Sequence, residues 1–213
     1  KFQNLVLKER AIVRATQSIV THLEVDITPS IIKRPIRISD ESGSSIPDGY
    51  TRWLKTNTLK QKQTEYSSVF ITLEAGDITS NQLTSLATII QEFSSEGHAR
   101  AGFVQNIALR YVHEDDLPRL YSKLLTVGLA KSGALTMAAP IGCSGTTSCN
   151  LALTNSHRLA KEIQRKFLEL KLDQDDDLRD SSIKISGCPN SCGQHGIATI
   201  GFFGGGGRVG KEM

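Results

Sequence analysis

The sequence predicts a mixed α+β fold, and three observations carry that prediction. Strand-like alternation occurs near residues 67–73 and again near 105–112. A helical pattern with its own start and stop signals follows each of them. Four cysteines are confined to the final third of the chain, among short loop-forming runs. With 213 residues, 38% of them hydrophobic and 6% aromatic, the chain has enough apolar material for one large or two modest domains. That balance excludes a disordered, collagenous or disulfide-dense protein.

Taken in order, the first segment from Leu5 to about Leu23 spaces Ile12, Ile19, Val20 and Leu23 as a helix does. Pro29, Pro35 and the polar run Ser39 to Gly49 then interrupt any regular pattern, so residues 1–49 read as a connecting helix and linker. The strand Ser67–Leu73 places Val69, Ile71 and Leu73 on one face, and Glu74-Ala75-Gly76-Asp77 turns the chain. Thr79 with Gln82 three residues on has the form of a capping box, and Leu83, Leu86, Ile90 and Phe93 make the stripe of a helix that stops by Gly97. Gln105–Val112 alternates again, with Ile107, Leu109 and Tyr111 together. A helix over about Asp116–Val127 tolerates Pro118 in its first turn and ends at Gly128. Residues 67–128 therefore read as a βαβα unit, half of a ferredoxin-like fold, within a half-domain over 50–133.

Residues 134–213 form the second part. Asn150 to about Leu172 reads as a long amphipathic helix burying Leu159, Ile163, Phe167 and Leu170, and the acidic run Asp173–Asp180 as a solvated loop. Ile183–Ser186 and Ile197–Phe203 read as strands around a cysteine-bearing turn, Gly187–Gly196.

Charge and hydropathy narrow the partners. There are 25 Lys and Arg against 22 Asp and Glu, a net charge of +3, and basic residues alternate with acidic ones without a cluster, so no nucleic-acid partner is expected. No run reaches the roughly 18–20 apolar residues of a membrane helix, and Lys1–Arg14 lacks the apolar centre of a signal peptide. A cytoplasmic protein with no membrane partner is the expectation. The chain opens on Lys1 and stops just beyond a glycine run, which reads as a piece of a longer polypeptide.

The cysteines carry the chemistry. Cys143-x5-Cys149 and Cys188-x3-Cys192 are two close pairs on separate loops, the arrangement of a four-ligand site for zinc or an iron–sulfur cluster. The x5 gap exceeds the usual zinc knuckle. Gly142, Gly145, Gly187 and Gly193 leave backbone N–H groups able to approach sulfur, and Cys149 directly precedes the expected helix, whose positive end stabilises thiolate charge. These features suit an anionic cluster better than zinc. Disulfides do not suit a chain without a secretion signal, and unligated core cysteines do not normally sit in Gly/Ser/Thr/Pro-rich loops.

The run Ile141-Gly142-Cys143-Ser144-Gly145-Thr146-Thr147-Ser148-Cys149-Asn150-Leu151-Ala152, with Gly187-Cys188-Pro189-Asn190-Ser191-Cys192-Gly193, resembles the signature of the sirohaem- and [4Fe–4S]-containing sulfite and nitrite reductases. Trp53, Asn57, Gln61-Lys62-Gln63, Gly76-Asp77-Ile78-Thr79 and Arg100 with Gln105-Asn106 resemble that family's second half-domain, so the likeness covers about residues 50–207. It implies that Cys143, Cys149, Cys188 and Cys192 hold a [4Fe–4S] cluster and that Cys192 also supplies the axial sulfur of sirohaem. It further implies six-electron reduction of sulfite to sulfide or nitrite to ammonia, a small oxyanion substrate, and ferredoxin or a flavoprotein as donor. Arg100, Gln105 and Asn106 match a strand on the sirohaem side, although Arg100 is equally read as a strand-end surface charge. Most substrate-binding Arg and Lys residues would belong to a preceding half, and this stretch alone is expected to be inactive and to dimerise through its open half-domain surface or to lack sirohaem. Asn190 reads as an ordinary Asx-turn and His195 as a solvent-facing or backbone-bonded histidine. Gly204–Gly207 allow close backbone approach or form a loop end. An electron-carrier module without sirohaem and a zinc-stabilised binding domain are the alternatives.

Overall fold

The structure is a computed structural model in which residues 47–206 are described. The helix expected over Leu5–Leu23 and most of the following linker lie outside the described residues. Helix α1 (Tyr50–Asn57) leads into a four-stranded antiparallel sheet of β1 (Thr58–Lys60), β2 (Tyr66–Ile71), β3 (Ala99–Ala101) and β4 (Ile107–His113), in the order β1-β2-β4-β3. Helices α2 (Ser80–Phe93) and α3 (Leu117–Thr126) share one core cluster with it, containing Val69, Ile71, Leu86, Phe93, Leu109 and Leu120. Trp53 of α1 is fully buried there, 5.2 Å from the Tyr121 ring.

The βαβα reading found β2, α2, β4 and α3 but missed β1 and β3. Each is only three residues long, too short for alternation to register. Strand β3 matters because it turns the chain back, so that β4 runs antiparallel to β2. A bulge also revises the buried face of β4: Ser67 lies opposite Val112 and Val69 opposite Leu109, so β4 carries one extra residue, and Tyr111 takes a φ of 52°. Val112, not Tyr111, therefore joins Leu109 in the core.

The capping box is present, with the Gln82 N–H donating to Thr79 Oγ1 at 3.2 Å and the Thr79 N–H donating to Gln82 Oε1 at 3.1 Å. Leu83 is half exposed and Ile89 takes its place in the α2 stripe. Gly128, at φ 70°, closes α3: its N–H donates to the Leu125 carbonyl and that of Leu129 to the Leu124 carbonyl.

The second part is a parallel sheet, β5 (Ile141–Gly142), β6 (Ile183–Ser186) and β7 (Ile200–Phe203), with β6 central and α4 (Ser156–Glu169) packed beside it. Helix α4 begins at the Asn155 cap, later than expected, because Leu153 and Thr154 use their N–H groups on the Gly187 carbonyl and cannot join a helix. The expected stripe is also displaced. Ser156, Ala160 and Gln164 are the buried positions, Ile163 and Phe167 are partly buried, and Leu159 and Leu170 are exposed. Small residues face inward because a Cβ on Gly142 would stand only 3.0 Å from Ala160 Cβ and from the Ser156 carbonyl. Strand β7 starts at Ile200, since residues 195–197 form a tight turn.

The acidic run is not simply solvated. Asp176 pairs with Arg52 at 3.1 Å and Lys55 at 2.5 Å, and Arg179 donates to the Lys55 carbonyl, which ties this segment to α1. Before β3, burial raises the Glu96 carboxyl, but hydrogen bonds from Arg110 and Arg100 and their charges outweigh it and hold the pKa below the ordinary value. The stability this pairing contributes is complete above about pH 4.3 and is lost as pH falls through the lower folded value. Glu96→Gln is expected to flatten the fall in melting temperature as pH drops below about 4.3. Parallel pH–Tm curves for the two proteins would contradict this.

Candidate cofactor site

The cysteine loops are built from the ends of β5 and β6. Cys143 follows β5 directly and its N–H donates to the Ile185 carbonyl at 3.0 Å; Cys149 follows a short turn over Gly145–Thr147. Cys188 is buried two residues beyond β6, and Cys192 is exposed. The loops touch backbone to backbone. A Cβ on Gly187 would lie 2.9 Å from the Thr154 carbonyl oxygen and 3.0 Å from Gly145 Cα, a closeness only glycine permits. The Gly187 carbonyl accepts from both Leu153 and Thr154, and the Gly187 N–H donates to Cys143 Sγ at 3.1 Å.

That donor set favours the charged form of Cys143. Burial pushes its thiol up, but the Ser156 hydroxyl and the N–H groups of Gly187 and Gly145 together bring it below the ordinary value. The Ser156 hydroxyl lies 3.0 Å from the sulfur and 2.8 Å from the Cys143 carbonyl oxygen. Since Ser156 is the first residue of α4, it is Cys143, rather than Cys149, that sits at the helix start. Ser156 was missed as a site residue, although the Asn155-Ser156 pair is itself a helix-start signal.

The second loop is held by Ser186, whose hydroxyl accepts from the Gly193 N–H at 3.1 Å and lies 2.8 Å from His195 Nδ1. His195, half-buried, also stacks on the Phe203 ring. Lys184, buried in β6, donates to Gln194 Oε1 at 2.9 Å. Gly204 makes a close approach, but to the loop itself: its Cβ would meet Thr154 Oγ1 at 2.3 Å and the Gly187 carbonyl at 2.4 Å. Asn190 is exposed.

Two of the remaining expected residues lie nearby. Gln105 and Asn106 border a cleft of about 490 Å³ that also has Asp77, Gly102, Ser144 and His157 in its wall. Asn106 is buried and holds the Leu73 N–H and the Ala134 carbonyl. Gln105 bonds Gly142. Arg100 is paired with Glu96. Opposite, Asp77 meets His157 at 3.1 Å and Lys161 at 2.7 Å; the Lys161 hydrogen bond is the main reason its carboxyl is held low.

Among the described residues, no three His, Cys, Asp or Glu side chains converge on one ion. A cubane cluster does not demand that, because each thiolate binds a different iron. Two thiol-bearing loops in backbone contact, with an N–H donor on the Cys143 sulfur and a hydroxyl beside it, fit such a group in kind.

An antiparallel half-domain backing a parallel sheet that presents paired cysteine loops defines the class of protein: a mixed α+β chain with a thiol-loop site. Residues 59–127 match the nitrite/sulfite reductase ferredoxin-like half domain. The chain is 31% identical over 155 residues to a ferredoxin–nitrite reductase of Synechococcus elongatus, covering 71% of this chain and 29% of that protein. It is 28% identical over 138 residues to the hemoprotein beta-component of a Bacillus subtilis NADPH sulfite reductase, covering 62% and 24%. The solved NirA protein of Mycobacterium tuberculosis shares the fold, with a TM-score of 0.51 at 23% identity over 73% of this chain and 29% of that one. The chain spans under a third of the length of these relatives. Over residues 59–127 it carries the half domain of the nitrite and sulfite reductases, and it is similar to members of that family over most of its length.

Proposed function

We propose that this chain is the cluster-binding, C-terminal part of a cytoplasmic sirohaem and [4Fe–4S] reductase that takes sulfite to sulfide or nitrite to ammonia. The observation that carries this reading is the contact of the two cysteine loops at Gly187, with a backbone N–H on the Cys143 sulfur. Cys143, Cys149, Cys188 and Cys192 would hold the cluster, and Cys192 would also help to hold sirohaem. When bound, the pair supplies a store of electrons beside a catalytic iron.

The chain's own residues prepare for this. The Gly187 and Gly145 N–H groups and the Ser156 hydroxyl stabilise negative charge at Cys143. Cys192 is exposed, where a second group can reach it, and Ile197, Phe202 and Phe203 expose apolar surface on the same part of the chain. Gln105 and Asn106 border the cleft that we assign to the sirohaem side. The cationic residues that grip the oxyanion and deliver protons belong, in this reading, to the preceding half of the polypeptide. Ferredoxin is the donor favoured by the names of the nitrite reductase relatives, and a flavoprotein is the second choice.

Iron, labile sulfide and zinc assays with a visible spectrum, on anaerobically prepared chain, test the proposal. About four iron and four sulfide per chain are expected. Zinc alone would overturn the cluster. Iron and sulfide in the complete polypeptide without macrocycle absorption would reduce the protein to an electron carrier.

A further inference from the structure

We propose that Gln105 is a positioning residue for the Cys143 loop, its side-chain amide standing in for a missing strand beside β5. Strand β5 is two residues long and pairs with β6 on one side only, where the Cys143 N–H meets the Ile185 carbonyl. Alternation along a strand turns the N–H and C=O of Gly142 to the other side. Both find the same partner there. Gln105 Nε2 donates to the Gly142 carbonyl at 2.7 Å, and the Gly142 N–H donates to Gln105 Oε1 at 3.1 Å. One edge of a primary amide presents an N–H beside its C=O, which matches the C=O and N–H that a strand residue turns to the same side, so a single side chain satisfies both groups of Gly142.

The backbone at Gln105 is an independent observation. Its φ of 59° is left-handed, a conformation that glycine or asparagine adopts at less cost, at the end of the turn closed by its own N–H on the Gly102 carbonyl. Its Cβ also packs against the Gly76 turn, where an added Cβ would be 3.4 Å away. A strained glutamine whose side chain crosses to the residue before Cys143 is a device for setting that residue. The half-domain thus fixes where β5 ends and so where the first thiol begins. This rests on the proposed role of Cys143 as a cluster ligand, but the geometry it predicts is testable on the protein without iron.

Gln105→Leu removes the amide at nearly constant size, and Gln105→Gly removes it while relieving the left-handed strain, which keeps the fold safe in at least one variant. In the iron-free full chain, iodoacetamide labelling of Cys143, read by peptide mass spectrometry, is expected to quicken about tenfold in both variants, as two lost hydrogen bonds let β5 open. Labelling of Cys188 and the melting temperature of Gln105→Gly should stay near wild type. Unchanged Cys143 labelling in a folded Gln105→Gly chain would overturn the proposal, as would equal acceleration at all four cysteines, which signals general loosening. A second readout is the reduced-cluster electron paramagnetic resonance spectrum after reconstitution, expected to broaden in both variants and to match wild type if Gln105 does not position the loop. A wild-type chain that takes up no iron would defeat the cluster reading and leave the labelling result standing.

Discussion

Cys192→Ser is expected to leave the chain folded but unable to retain its cluster, dropping iron and labile sulfide from about four each per chain to near zero after desalting. The size of the effect follows from the chemistry: a serine hydroxyl is not ionised at neutral pH and does not replace a thiolate on iron. Its clarity follows from position. Cys192 is exposed, and exchange of one sulfur for oxygen at such a site changes stability by only about 0.5 kcal/mol or less. The loss of iron would therefore not reflect unfolding, and matched denaturant curves for the two apo-proteins check this. Full iron retention in Cys192→Ser would remove that residue from the ligand set.

Gly193→Ala is expected to cost about 3 kcal/mol, near the upper end for overpacking, because the obstacle is backbone. Its Cβ would lie 2.0 Å from the Ile185 carbonyl oxygen and 2.6 Å from the carbonyl carbon. Ile185 is in β6, held between β5 and β7, and that same carbonyl accepts the Cys143 N–H, so a shift there would move both cysteine loops. Gly196→Ala provides the comparison. Nothing lies within 4 Å of its Cβ, and its stability should stay within about 0.5 kcal/mol of wild type. Urea unfolding of the three proteins decides it: equal midpoints would refute the packing explanation.

The sequence was most informative where one local rule acts alone. The Thr79/Gln82 capping box, Pro118 in the first turn of α3 and the Gly128 stop all stand as expected, because each is a contact between residues within one turn. It was least informative where distant segments compete for the same groups. The Gly187 carbonyl takes Leu153 and Thr154 out of α4, and Gly142 calls Ala160 and Ser156 to the buried side in place of Leu159. Asp176 finds Arg52 and Lys55 more than a hundred residues away, so no local pattern of charges reveals that it is anchored.

The candidate site divides in the same way. By itself the sequence determined the mixed α+β class, since periodicity and turn chemistry are properties of the chain in order, and its cysteine motifs carried the resemblance to the reductases. Only the tertiary structure decided what surrounds the thiols. It brought Ser156 and Gly187 to the Cys143 sulfur, turned Gln105 onto Gly142 and Asn106 into the core, and left Cys192 exposed. The reason is physical: hydrogen-bond partners of a buried group are whichever donors and acceptors packing brings within about 3 Å, and separation along the chain places no limit on that.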